Sequence, residues 1–277
     1  PLVHNAGFDA AGVDGVYLPM PVPPEWEHFK ATVGAMAAEA LLNLRGLSVT
    51  APHKQHLVRL VRDEGWSLAA RIERIGAANT LVIDENGRAS VHDTDGGAVA
   101  NLLGDVRGKR IVLLGAGGVA RSVGAALIEA GAMVDVRARR EEQAEELMAI
   151  LDEIGPPSPG RSPKVAATLS HGERVGDFAA LVNCTPAGMT GGGAEDAMAI
   201  GRDELRSFAD ANPAMVVVET VYRPLDTPLV RAARAIGLRV IDGASMFVGQ
   251  AEAQFSRWTG KQLQHGLYER LVRERLG

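Results

Sequence analysis

Apolar residues fall along this chain in two rhythms, short unbroken runs and helical stripes, and their alternation is clearest after residue 109. Arg110–Leu114 is wholly apolar after its first residue, as a strand buried on both faces of a parallel sheet must be. Val119–Ala130 sets Val123, Ala126, Leu127 and Ala130 on one side of a helix, and Gly131 closes it. Ala132–Arg137 predicts the next strand and Glu141–Ile154 the next helix. Further short strands are expected at Ala179–Val182, Met215–Val218 and Arg239–Ile241. This alternation predicts an α/β fold with a doubly wound sheet. Residues 155–163 (GPPSPGRSP) and 190–194 (TGGGA) read as loops.

The earlier part of the chain has a less regular pattern. Val16–Val22 reads as a strand with a proline-rich stop. Glu25–Leu44 reads as a helix, with Phe29, Val33, Met36, Ala37, Leu41 and Leu44 near helical spacing. Leu47–Thr50 predicts a strand that Pro52 ends, and a helix follows from about Gln55 to Asp63. Asn79–Ile83 and Ala89–His92 flank Glu85-Asn86-Gly87, a hairpin signal. Helix is expected again over Gly96–Leu103 and, at the end of the chain, over Ser245–Trp258 and Lys261–Leu276.

Composition narrows the function. The 277 residues suit one large or two modest domains, and 46% hydrophobic with 23% charged residues is an ordinary globular balance. A net charge of −5 disfavours nucleic-acid and membrane-surface roles. Cys184 is the only cysteine, so no disulfide framework or cysteine-based zinc site is possible within one chain; no metal is expected. A reducing, cytoplasmic location follows as the expectation.

Gly115-Ala116-Gly117-Gly118-Val119-Ala120 stands where a dinucleotide-binding turn must stand, directly after a buried strand and at the start of a helix. Gly115 permits the tight turn, Gly117 lets the backbone approach a pyrophosphate, and Ala120 keeps helix and strand close. The helix start offers N–H groups and a positive dipole end to phosphates. The following strand runs out into Arg137-Ala138-Arg139-Arg140. An NAD site usually has Asp or Glu there, and Asp135 comes too early in the strand. Arginines suit a 2′-phosphate, so NADP is expected over NAD.

Three further motifs are hard to explain by folding alone: Gly46-Leu47-Ser48-Val49-Thr50-Ala51-Pro52-His53-Lys54, Gly76-Ala77-Ala78-Asn79-Thr80 and Asp93-Thr94-Asp95-Gly96. After GAGGVAR come Asn183-Cys184-Thr185-Pro186-Ala187-Gly188-Met189, then Val221-Tyr222-Arg223-Pro224 with Thr227-Pro228-Leu229, then Gly243-Ala244-Ser245-Met246-Phe247-Val248-Gly249-Gln250. This ordered set spans nearly the whole chain and resembles the shikimate dehydrogenase family. The resemblance implies NADPH-dependent reduction of 3-dehydroshikimate to shikimate. It implies that Lys54 and Asp95 are the catalytic pair. It assigns substrate contacts to Thr50, Asn79, Asp95, Gln250 and Tyr222, the last near the carboxylate. It places Arg139, Arg140, Asn183, Thr185, Met189, Thr220 and Gly243 beside the glycine-rich turn at the cofactor.

The same resemblance implies a two-domain fold. A substrate-binding α/β domain of residues 1–97 is completed by the terminal helices from 243 to 277, and a Rossmann NADP-binding domain covers 98–242. Substrate is expected between them, with hinge closure. The partner is a small molecule, and the assembly a monomer or homodimer. A quinate/shikimate dehydrogenase of broader choice and a non-catalytic shikimate/NADP sensor are the rival readings.

Four departures from the family pattern stand out. Asp93 replaces the usual Asn, adding a carboxylate that would raise one pKa of the pair if both point inward. Glu219 replaces Asp. Ala138 and Arg140 replace Asn and Thr around Arg139. The family's opening strand and Ser-x-Ser carboxylate clamp have no counterpart, since Pro1-Leu2-Val3-His4-Asn5 matches the segment just after them. Several motifs have the style of versions fused behind a dehydroquinate dehydratase domain, so an upstream domain of that kind is expected.

Overall fold

The computed structural model describes residues 1–155, 178–264 and 266–276. The chain divides into two compact units, Pro1–Asp95 with Val248–Arg275, and Gly96–Phe247.

The first unit is built on a small antiparallel sheet. β1 (Gly46–Ser48), β2 (Thr80–Ile83) and β3 (Ala89–His92) lie in that order, with Ser48 opposite Thr80 and Thr80 opposite His92. The β2–β3 hairpin turns where Glu85-Asn86-Gly87 predicts it. α2 (Trp26–Ala38), α3 (Lys54–Asp63) and the short α4 (Ala70–Ile75) bring Phe29, Val33, Leu57, Val61 and Ile72 into one core with Leu81 and Val91. Each such side chain contributes about 1.5–3 kcal/mol when fully buried. α1 (Leu2–Ala11) is tied to α11 (Leu267–Leu276) through His4 Nδ1, 3.2 Å from the Tyr268 hydroxyl. Burial pushes His4 down to about 4, so the ring stays neutral at physiological pH.

The second unit is the doubly wound sheet. Its parallel strands run in the order β5 (Met133–Arg137), β4 (Arg110–Leu114), β6 (Phe178–Asn183), β7 (Val216–Glu219), β8 (Arg239–Ile241). α5 (Asp95–Leu103) leads in, and α6 (Gly118–Glu129) and α7 (Glu141–Ile154) follow β4 and β5. α8 (Arg202–Ala211) and α9 (Pro228–Ala235) follow β6 and β7. Val112, Leu181, Val217, Leu205, Phe208 and Leu229 share one core. The chain leaves β4 toward β5 on one side and later returns with β6 on the other. The carboxyl ends of β4 and β6 therefore form a topological switch point, where open α/β sheets bind ligands.

Several expectations need correction. Residues 13–22 form no strand among the described residues, and Val16 and Leu18 are each 70% exposed. Pro19 and Pro21 remove ladder donors, and the Asn5 carboxamide takes the Tyr17 N–H (2.6 Å) and donates to the Tyr17 carbonyl (3.1 Å), occupying the groups a partner strand would use. The helix expected over Glu25–Leu44 stops at Ala38, and a 3₁₀ turn covers Ala40–Leu42. Only Phe29 and Val33 of its apolar stripe are buried, and Leu41 is 93% exposed, so nothing holds the last turns. The strand expected over Leu47–Thr50 runs over Gly46–Ser48, and the last helix begins at Leu267 instead of Lys261. The loop expected over 155–163 lies outside the described residues beyond Gly155. α1, α4, α8 and α9 add helices that periodicity did not mark.

Candidate active site

In the first unit, residues from five elements converge. Lys54 opens α3, and its carbonyl accepts from the Ala78 N–H at 3.0 Å, so the Gly76–Asn79 loop docks on the lysine's own backbone. Asp95 opens α5. The Lys54 ammonium lies 2.5 Å from Asp95 Oδ2, and the two side chains are 11% and 2% exposed. A buried pair of this kind persists only where geometry and further hydrogen bonds compensate desolvation. At the helix start the Asp95 N–H donates to Asp93 Oδ1 at 3.3 Å. Asp93 Oδ2 takes Arg71 Nη1 at 3.4 Å, so this extra carboxylate has its own cation.

Asn79, the other motif residue, is nearly fully buried. Its Nδ2 donates to Thr94 Oγ1 (2.9 Å) and to Gln250 Oε1 (3.0 Å), and its Oδ1 accepts from Thr94 N (3.0 Å) and Thr80 Oγ1 (2.8 Å). Gln250 comes from α10 (Gly243–Thr259) and is half-buried. Thr50 is exposed just beyond β1, and its carbonyl takes the His53 N–H. Lys54, Asp95, Asn79 and Gln250 are thus linked by local contacts in one unit. Sequence reasoning missed Gln254, one helical turn after Gln250. Its Nε2 donates to Ser48 Oγ (3.0 Å), Thr80 Oγ1 (3.1 Å) and the Asn79 carbonyl (3.4 Å), bracing the strand ends under the site. The signal was present as the i, i+4 spacing of two glutamines on one helix face.

In the second unit, Gly115 turns the chain at the end of β4 with φ +106°, and its N–H donates to the Arg137 carbonyl at 2.7 Å. A Cβ there would meet Thr185 Cγ2 at 3.0 Å. Gly117 is the N-cap of α6, no side chain caps that helix, and the place of a Gly117 Cβ is open space. Ala120 is fully buried. Ala116, Gly118 and Val119 are half-buried around the turn. The free helix start and the room at Gly117 fit a bound pyrophosphate.

At the end of β5, Arg137 pairs with Glu204 and lies 4.8 Å over the Phe208 ring. Asp135 pairs with Arg110 at 2.8 Å, inside the strand. Arg139 and Arg140 are exposed and form no ion pair among the described residues.

The remaining residues singled out in the sequence lie at the end of β6 and after β6, β7 and β8. Asn183 is fully buried, with Oδ1 accepting from Thr185 N (3.0 Å) and Thr185 Oγ1 (2.7 Å). Thr220 N–H donates to the Asn183 carbonyl at 3.3 Å. Met189 is 37% exposed, and Tyr222 is 40% exposed with its ring 4.9 Å from Phe247. Gly243 has no room for a side chain, since a Cβ would fall 2.0 Å from the Val221 carbonyl oxygen.

Comparison with known proteins bears on both units. The family model described as "Shikimate dehydrogenase substrate binding domain" matches residues 1–81. A protein of Rhodospirillum rubrum named "Shikimate dehydrogenase (NADP(+))" is 36% identical over 270 residues, covering 94% of this chain and 87% of that one. The chain belongs to the shikimate dehydrogenase family. Among solved structures, a shikimate dehydrogenase in complex with NADP+ superposes with a TM-score of 0.79 at 26% identity, covering 100% of this chain and 91% of that one. A quinate dehydrogenase from Corynebacterium glutamicum in complex with NAD superposes with a TM-score of 0.73 at 26% identity, covering 100% and 93%. Among the described residues of this family member no helix is long and apolar enough to cross a membrane, and no group of acidic, His or Cys side chains could hold a metal ion.

Proposed function

We propose that this chain is a shikimate dehydrogenase, reducing 3-dehydroshikimate to shikimate reversibly with NADPH, with Lys54 and Asp95 as its catalytic residues. The observation that carries the reading is the buried 2.5 Å contact of Lys54 with Asp95 in a chain of this family. The residues assigned to the substrate are Thr50, Asn79 and Gln250 beside Asp95 for its hydroxyls, with Tyr222 assigned to its carboxylate. The second unit supplies the cofactor side through residues 115–120, Arg139, Arg140, Thr185, Met189, Thr220 and Gly243, with Asn183 acting through Thr185.

NADPH, when bound, supplies the hydride that adds to the carbonyl carbon. Lys54 presents its ammonium to the carbonyl oxygen, stabilises the negative charge that develops there and gives that oxygen the proton that completes the alcohol, and solvent then returns a proton to the amine. Asp95 orients that ammonium and accepts a hydrogen bond from a neighbouring substrate hydroxyl. A substrate lacking a hydroxyl would leave buried polar groups unpaired, which is how a site of this kind discriminates. A cytoplasmic location fits the single, buried Cys184.

The deciding experiment is reduction of NADP+ with shikimate, followed by near-ultraviolet absorbance, with quinate and NAD+ as parallel arms. Turnover of shikimate with NADP+ above both alternatives is expected. Tight binding of shikimate and NADP+ without turnover would overturn the enzymatic reading.

A further inference from the structure

We propose that Glu219 is the positioning residue of the cofactor side, a buried carboxylate that ties the loops after β6 and β7 to the start of α9. The proposal deepens the NADP reading above and rests on it. Glu219 ends β7 and is fully buried. Its Oε1 accepts from Asn183 Nδ2 at 2.9 Å and from the Val221 N–H at 3.0 Å. Its Oε2 accepts from Thr227 Oγ1 at 2.8 Å. Thr227 is the N-cap of α9, and its hydroxyl oxygen takes the Val230 N–H at 3.2 Å.

Two of the three partners, Asn183 and Val221, lead to residues assigned to the cofactor side. Asn183, held on its amide nitrogen by Glu219, uses its amide oxygen to fix Thr185 N and Oγ1, and Thr185 Oγ1 takes the Ala187 N–H at 3.2 Å. Thr185 is the side chain pressed against the Gly115 turn. Val221 is held by the same carboxylate oxygen, and its carbonyl fills the space above Gly243. One side chain thereby ties together Thr185, Thr220 and Gly243 at the carboxyl ends of β6, β7 and β8. A carboxyl group suits the task, because its two oxygens accept from all three neighbouring donors. Its burial is otherwise costly, which gives a physical reason to look beyond packing for what it does.

The test measures NADPH binding by fluorescence titration alongside steady-state kinetics with shikimate. Glu219→Leu removes both acceptors at similar volume. Its NADPH dissociation constant is expected to rise by roughly tenfold or more, the loss of one to two buried hydrogen bonds, while the KM for shikimate stays within about twofold. Thr227→Val cuts only the tie to α9 and keeps the fold measurable should the first variant unfold. It is expected to weaken NADPH binding by a few-fold, on the order of one hydrogen bond. Glu219→Asp, which keeps the charge, is expected to recover most of the affinity lost in Glu219→Leu. A rise in neither constant, or an equal rise in both, overturns the positioning role while leaving the NADP reading intact. Failure of the unaltered chain to bind NADPH overturns both, and so tells the two failures apart.

Discussion

Lys54 and Asp95, 41 residues apart in sequence, meet at 2.5 Å with almost no solvent on either side chain. Stability and chemistry are therefore coupled at this pair, and single substitutions report on both. Lys54→Ala is expected to lower kcat by roughly 10²–10⁴-fold, the worth of a positioned proton donor. It also strands a buried carboxylate, which costs about 3–5 kcal/mol of stability. Urea unfolding of Lys54→Met/Asp95→Leu separates the effects: stability returns toward that of the parent and activity does not. Activity within a few-fold of the parent in Lys54→Ala would remove Lys54 from the mechanism.

Arg139 and Arg140 are the free cations after β5, because Glu204 engages Arg137 and Arg110 engages Asp135. Replacing both with Ala is expected to lower kcat/KM for NADPH by roughly 10–100-fold, the loss of charge-assisted contacts at about 1.5–3 kcal/mol, with little change for NADH. The parallel measurement with both cofactors checks this. An equal loss with NADH would place the arginines elsewhere than at the 2′-phosphate.

The legible parts of this chain are those where a local rule and the fold agree. Arg110–Leu114 and Glu141–Ile154 carry strong apolar periods and stand as the sequence pattern predicts them. Lys54 and Asp95 were legible only through motifs, since nothing local says that a lysine after one strand meets an aspartate after another. Val16–Val22 has strand composition, but prolines and the Asn5 side chain decide its pairing. α8 buries only Leu205, Phe208 and Ala209 among charged neighbours, too thin a stripe to stand out. The spacing of Gln254 one turn after Gln250 marks a shared helix face, but not its partners, which are a serine, a threonine and a backbone carbonyl distant in sequence.

Gln254 braces the floor of the site through Ser48, Thr80 and the Asn79 carbonyl, and it touches neither Lys54 nor Asp95 in any of these bonds. Gln254→Leu leaves those buried groups without their donor and is expected to cost about 1–3 kcal/mol in urea unfolding. The displacement of Asn79 is expected to raise the shikimate KM several-fold, with NADPH binding unchanged. A variant with parental stability and KM would show the brace to be dispensable.

Glu219 supplies a pH signature of its own. Burial pushes its carboxyl from the ordinary 4.5 up to about 7, against the pull of its hydrogen bonds from Val221, Thr227 and Asn183, all of them neutral partners. The folded state then binds more protons than the unfolded state between these values, so unfolding free energy falls as pH rises through that window. The contribution is fully present below about pH 4.5 and lost above about 7, and its size is on the order of 3 kcal/mol. Glu219→Gln carries no titrating group. Measured by urea unfolding, the stability of the parent relative to Glu219→Gln is therefore expected to be greater at pH 5 than at pH 8. A difference between the two proteins that stays constant across this range would mean that Glu219 titrates in the folded protein as it does in the unfolded chain.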